Sequence, residues 1–223
     1  MNFIAYPDRD LLMFGLADQL TSDLSMALRQ RDRVTFCVPG GTTPGPVFDI
    51  LSDVRLEWER VSVLLNDERW VPESHERSNA AQLRRRLLTG RASGAAFVPL
   101  YAPTATPEDA LPALEASIAP LLPISVLLLG MGADMHTASL FPGADRLQDA
   151  LAEDAPTVLA MRAPGAAEPR VTLTAPVLAG ALNTHILITG QDKRDAIEAA
   201  AELPPLKAPV GVVLNDATVH WAP

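Results

Sequence analysis

The chain has 223 residues, 48% of them apolar and 20% charged, which is the make-up of an ordinary globular protein and excludes disordered, collagen-like and disulfide-scaffold classes. Its 18 Lys and Arg against 27 Asp and Glu leave a net charge of −9, so the averaged field repels polyanions, and neither nucleic acid nor a membrane surface is an expected partner.

The N-terminal segment MNFIAYPDRD lacks a basic start followed by an apolar stretch, and no apolar run approaches the ~18 residues of a membrane span, so a cytoplasmic address is expected. Leu12, Leu16, Leu20, Leu24 and Leu28 recur every fourth residue with polar residues between, which predicts an amphipathic helix over 9–31. Val34–Val38 is a short run rich in β-branched and aromatic residues, ended by Pro-Gly-Gly, and reads as a buried strand. The sole cysteine, Cys37, lies inside it and reads as an inert core thiol. Further strands are expected at 61–65, 126–129, 157–161, 170–174, 185–189 and 210–214, with helices near 46–51, 79–88, 108–122 and 194–201. Residues 91–107 carry the weakest pattern and read as a surface excursion. Strands alternating with helices imply an α/β fold, a mostly parallel, doubly wound sheet covered on both faces, in one domain over 1–223.

In such sheets ligands bind outside the carboxyl ends of the strands, so the residues after each apolar run are inspected first. Gly40, Gly41, Thr42, Thr43 and Pro44 follow the first strand; the glycines permit close backbone approach, Thr43 suits a helix cap and Pro44 a first helical turn. The loop fits either an anion cradle or a plain strand-to-helix turn, and it is neither a Walker loop nor a dinucleotide fingerprint. Asp67 and Arg69 follow the next strand, as a surface ion pair or as a water-orienting acid with a phosphate-holding guanidinium. After 126–129 comes a glycine-rich stretch with Asp134 two residues before His136, the pairing a general base needs, and with Thr and Ser that suit the start of a new helix. Arg170 and Lys193 are two further cations at element ends; Lys193 in a first helical turn opposes the macrodipole unless an anion is near. A few such cations dominate locally over a Debye length of ~8 Å, so a small phosphorylated ligand is compatible with the acidic chain. His75, His185 and His220 show no ligand spacing to one another or to a carboxylate cluster, so no metal is expected.

Together these segments resemble the 6-phosphogluconolactonase family. The first loop is similar to its S-G-G-S/T-T-P element, 67–79 to D-E-R-x-V-P-x-x-H-x-x-S-N, 130–143 to G-x-G-x-D-G-H-x-A-S-L-F-P-G, 169–174 to P-x-R-V-T-L-T and 190–193 to G-x-x-K, in the same order along nearly the whole chain. The resemblance implies a sugar-phosphate isomerase-like modified doubly wound fold. It also implies hydrolysis of 6-phosphoglucono-δ-lactone, a small phosphorylated sugar lactone, without metal or cofactor, in the oxidative pentose phosphate route. It carries the catalytic histidine onto His136, supporting carboxylates onto Asp134 and Asp67, the D-E-R arginine onto Arg69, phosphate-holding cations onto Arg170 and Lys193, and a phosphate cradle onto Gly40, Gly41 and Thr42. Two positions depart from it. Met135 stands where the family has Gly, so a positive φ there implies strain or a different turn, and Pro39 replaces Ser. The related glucosamine-6-phosphate isomerase/deaminase pattern carries a glutamate five residues after the histidine and D-E-Y; here those places hold Phe141 and Arg69. A sugar-phosphate sensor on this fold would append a helix-turn-helix, for which the opening helix leaves no room. A monomer or weak homodimer is expected.

Overall fold

The computed structural model describes residues 1–223. In chain order the elements are β1 (Asn2–Ala5), α1 (Arg9–Gln30), β2 (Val34–Val38), α2 (Gly45–Ser52), β3 (Val61–Leu65), β4 (Asp67–Arg69), α3 (Asn79–Arg86), β5 (Ala96–Val98), α4 (Pro107–Ile118), β6 (Val126–Gly130), α5 (Leu147–Leu151), β7 (Val158–Met161), β8 (Arg170–Leu173), α6 (Ala175–Ala179), β9 (Thr184–Thr189), α7 (Gln191–Ala200) and β10 (Ala217–Ala222). The leucine stripe of α1 is buried along its whole length. Asp8 caps the helix by accepting from the Leu11 N–H at 2.8 Å. At the other end Arg60 donates to the carbonyls of Leu28, Arg31 and Asp32, placing a cation where the last-turn carbonyls carry negative charge.

Seven strands form one parallel sheet in the order β1-β10-β9-β6-β2-β3-β5. Every residue of β2 and β3 is buried, which is why they read as unbroken apolar runs and not as alternating ones. From β2 the chain builds outward through β3 and β5, then returns to the other side of β2 for β6, β9 and β10. The order therefore reverses between β2 and β6, and a crevice opens beyond their carboxyl ends. A second, antiparallel sheet of β4, β8 and β7 stands over that end. Asn66 joins the two sheets: its N–H extends the main ladder to Val38, and its carbonyl takes the Leu173 N–H.

Several expectations are corrected. Residues 210–214 are not a strand but 3₁₀ turns, because Pro209 and Gly211 interrupt the run and the Val210 N–H is taken by the Met135 carbonyl; the last strand is β10. Residues 91–107 include β5, paired with β3. No helix begins at Thr137 or Ser139; that stretch is a chain of turns until α5. The short strands β1 and β4 have only four and three residues, too few for a periodic signal.

His185 and His220, 35 residues apart, lie on the adjacent strands β9 and β10, and their rings meet. The ring nitrogens Nδ1 of His185 and Nε2 of His220 lie 3.0 Å apart, His185 Nε2 meets Asp23 at 2.8 Å, and Tyr6 Oη meets His220 Nδ1 at 3.0 Å. With both rings neutral every donor in this buried chain has an acceptor: Tyr6 donates to His220, His220 to His185, and His185 to Asp23. Burial, with the neighbouring His185, lowers the His220 pKa to about 3. An unfolded histidine protonates near 6.5, so between these values the unfolded chain binds the extra proton, and stability falls with acid at up to ~1.4 kcal/mol per pH unit. Thermal melts of wild type should lose stability from pH 7 to pH 5 more steeply than those of His220→Gln, whose slope should be shallower by most of one proton.

Candidate functional site

A cavity of about 310 Å³ occupies the crevice and is lined by residues from every loop that the sequence singled out. Gly40, Gly41, Asp67, Arg69, His136, Arg170 and Lys193 all face it; Thr42 does not and lines a separate recess with Arg9 and Asp10, while Thr43 takes the cavity position. Thr43 does not cap α2 either: Pro44 occupies the cap without a side-chain bond. Gly41 has φ +84°, and a Cβ at Gly40 would fall 2.0 Å from the Asn79 amide, so this loop requires both glycines.

His136 stands in the turn after β6. Its Nδ1 is 2.5 Å from Asp134 Oδ1, and its Nε2 has no protein partner. A Cβ at Gly132 would fall 2.1 Å from that Nδ1 and 2.3 Å from the Asp134 carboxylate, so the pair is seated directly on a bare backbone. Burial opposes the Asp134 charge, but the hydrogen bond and charge of His136 outweigh it and hold the carboxyl below the usual range. Met135 has φ +65° and Ala138 φ +49°, so the turn that suits glycine is retained here at a cost on the order of 1–2 kcal/mol per residue. Met135 is held there by the Val210 N–H on its carbonyl and by packing of its side chain on the core.

Asp67 does not touch His136. It is buried, accepts from Ser139 Oγ and from Asn79 Nδ2 at 3.3 Å, and faces Arg170 Nη1 at 3.5 Å. Of the two carboxylates that the resemblance carries to the histidine, Asp134 is the one bonded to its ring, and Asp67 instead faces Arg170. Arg69 and Arg170 are directly opposite in the β4–β8 register. Burial lowers the pKa of the Arg170 guanidinium, Asp67 opposes this, and Arg69 and Arg77 add repulsion. The Nε atoms of Arg69 and Arg170 and the Oδ1 atoms of Asn66 and Asn79 are buried without a protein partner. Lys193 Nζ donates to the Met131 carbonyl at 2.9 Å from the first turn of α7, leaving two donors for a ligand. Burial and then the Asp67 charge push the Cys37 thiol well up, in keeping with an inert core residue. No group of three or more His, Cys, Asp or Glu side chains is arranged to hold a metal ion.

Glu68 is the residue that the sequence reading passed over. It is buried, and its carboxylate accepts from the N–H groups of Arg69, Asn79 and Ala80 at 2.8–2.9 Å, and from Ser78 Oγ. It caps α3 from outside the helix and locks the Asp67–Arg69 strand against it. Ser78 caps the same helix locally, its Oγ accepting from the Ala81 N–H, whereas a cap from ten residues away has no local signal. Glu68→Ala should cost about 2–3 kcal/mol, measured as a lower urea midpoint, since three buried N–H groups lose their acceptor.

With Arg69, Arg170 and Lys193 on its wall, the cavity suits a small anionic ligand. The family profile described as glucosamine-6-phosphate isomerases/6-phosphogluconolactonase matches residues 7–221, and the chain belongs to that family. It is 41% identical over 229 residues to a 6-phosphogluconolactonase of Mesorhizobium japonicum, covering 100% of this chain and 95% of that one. With the 6-phosphogluconolactonase of Pseudomonas aeruginosa it shares 41% identity over 94% of this chain and 90% of that one. The crystal structure of a 6-phosphogluconolactonase from Shewanella baltica superposes with a TM-score of 0.96 at 30% identity, covering 100% and 98% of the two chains. The α/β, sugar-phosphate isomerase-like fold expected from the sequence is therefore the observed one.

Proposed function

We propose that this chain hydrolyses 6-phospho-D-glucono-1,5-lactone to 6-phospho-D-gluconate, the second step of the oxidative pentose phosphate pathway. The observation that carries the reading is His136, tied to Asp134 through Nδ1 and free at Nε2, in one cavity with Arg170 and Lys193. The names of the relatives above support it as well.

In this mechanism His136 Nε2 takes a proton from water as the water oxygen attacks the lactone carbonyl carbon, and Asp134 stabilises the imidazolium. Arg69 or loop N–H groups steady the oxyanion. Collapse of the tetrahedral intermediate breaks the bond between the carbonyl carbon and the ring oxygen, and the imidazolium returns its proton to that oxygen. The new carboxylic acid then ionises. Arg170 and Lys193, with the Gly40–Gly41 backbone and Thr43, hold the phosphate, whose binding energy positions the reacting carbon. Asp67 keeps Arg170 and Arg69 together in the empty site. All steps use side chains and water alone. The isomerase reading is weaker because Phe141, at the place of that pattern's glutamate, offers His136 a ring and no acid. We further propose that residues 1–223 act as one cytoplasmic domain, a monomer or weak homodimer; no helix is long and apolar enough to cross a membrane.

A pH-stat assay on freshly generated lactone tests the activity. Wild type should open the lactone faster than buffer, and His136→Ala should lower kcat by about 10²–10⁴-fold. Equal rates for the two proteins would remove His136 from its role. Arg170→Ala and Lys193→Ala should each raise KM for the phosphorylated lactone by roughly tenfold or more, while altering kcat/KM for unphosphorylated glucono-δ-lactone by less than about threefold. Equal losses on both substrates would reject the phosphate assignment.

A further inference from the structure

Phe141 contributes nothing to the cavity wall, yet two of the groups in that wall rest on its ring. The His136 imidazole lies with its centroid 4.1 Å from the Phe141 centroid at 33° between planes. The Arg170 guanidinium carbon is 5.1 Å from the same centroid. Hydrogen bonds fix each group on one side only. His136 is bonded at Nδ1, and its Nε2 edge has no protein partner. Arg170 has a buried, unpartnered Nε and a long 3.5 Å contact to Asp67. A flat aromatic face supplies what is missing for each: an offset stack that selects one imidazole plane, and a negative quadrupole under a desolvated guanidinium.

The backbone that carries the ring is tied down on both sides. Leu140, next to it, is fully buried and its N–H is taken by the Thr137 carbonyl. Thr137 Oγ1 donates to Gly130 at the end of β6, and the Ser139 N–H goes to Thr172 of β8. The Phe141 carbonyl takes the Ala144 N–H. The ring thus sits on backbone tied both to the strand before His136 and to the strand that carries Arg170.

We infer that Phe141 is a positioning residue shared by His136 and Arg170, its ring setting the separation and relative orientation of the general base and the phosphate anchor. The inference deepens the lactonase reading and rests on it for its kinetic consequences. Leu preserves much of the volume but has no flat face; Tyr keeps the face.

The experiment compares Phe141→Leu and Phe141→Tyr with wild type, using both lactones and the ¹H–¹³C spectrum of ring-labelled histidine. In wild type the His136 ring protons should show an upfield ring-current shift, retained in Phe141→Tyr and lost in Phe141→Leu. Phe141→Leu should lower kcat about tenfold on both lactones, and in addition raise KM several-fold for the phosphorylated one only. Phe141→Tyr should stay within about threefold of wild type on both. The inference is overturned if wild type shows no ring-current shift, if Phe141→Leu keeps wild-type kcat, or if Phe141→Tyr loses as much as Phe141→Leu. Should Phe141→Leu not fold, Phe141→Met makes the same comparison, and the wild-type ring-current shift still decides whether the seat exists. An inactive wild type that nonetheless shows the shift would sink the lactonase reading and the kinetic coupling while upholding the aromatic seat.

Discussion

The site depends on the direction in which the chain leaves β2. Because it builds outward through β3 and β5 and then returns to the opposite side for β6, the loops after β2 and β6 diverge to opposite faces and leave a gap between them. The glycine loop borders that gap from one side and the His136 turn from the other. The small antiparallel sheet closes it from above and brings Asp67, Arg69 and Arg170, whose positions in the chain are separated by a hundred residues, into cross-strand register. Without the reversal these residues would be distributed along one edge of the sheet and could not meet.

Within that gap the difficulty is electrostatic. Arg69 and Arg170 stand opposite each other across β4 and β8, and the Arg170 guanidinium is largely withdrawn from solvent. The buried Asp67 carboxylate, held by Ser139 and Asn79, supplies the opposing charge. Asn79 can reach it only because Gly40 has no side chain, and Asn79 is itself fixed by its N–H to Glu68. The side chains of the cavity therefore stand on a layer of buried polar contacts that links Glu68, Asn79, Asp67 and Ser139. A chain of net charge −9 can in this way present a cationic pocket, because the local arrangement acts at distances far inside the screening length.

The parts of the fold most visible in the sequence were those whose pattern is long or nearly unbroken: the five-leucine stripe of α1, and the largely apolar β2, β3 and β6. Short elements were hidden. β1 and β4 owe their existence to a neighbour's unsatisfied edge and not to their own residues, and 210–214 looked like a strand because Val210, Val212 and Val213 are β-branched although Pro209 and the Met135 carbonyl direct them into turns. The candidate site residues were legible as polar and glycine-rich positions at strand ends, and the side chains of Asp67, Arg69, His136, Arg170 and Lys193 line the cavity, with Asp134 behind His136. Thr42 is the exception among the side chains, since the turn points the neighbouring Thr43 inward instead.

By itself the sequence determined the parallel α/β class, the polar and glycine-rich strand ends that border the cavity, and the placing of Asp134 two residues before His136, because each follows from residues close together in the chain. Tertiary structure alone decided that Asp67 serves the arginines and not the histidine, that Glu68 caps α3, that Phe141 underlies both His136 and Arg170, and that His185 and His220 share a buried hydrogen-bond chain with Asp23. The physical reason is the same in each case. A contact between residues on different strands is set by sheet order and register, which sum over the packing of the whole chain, whereas local patterns report only on the few residues that a helix turn or a strand pleat brings together.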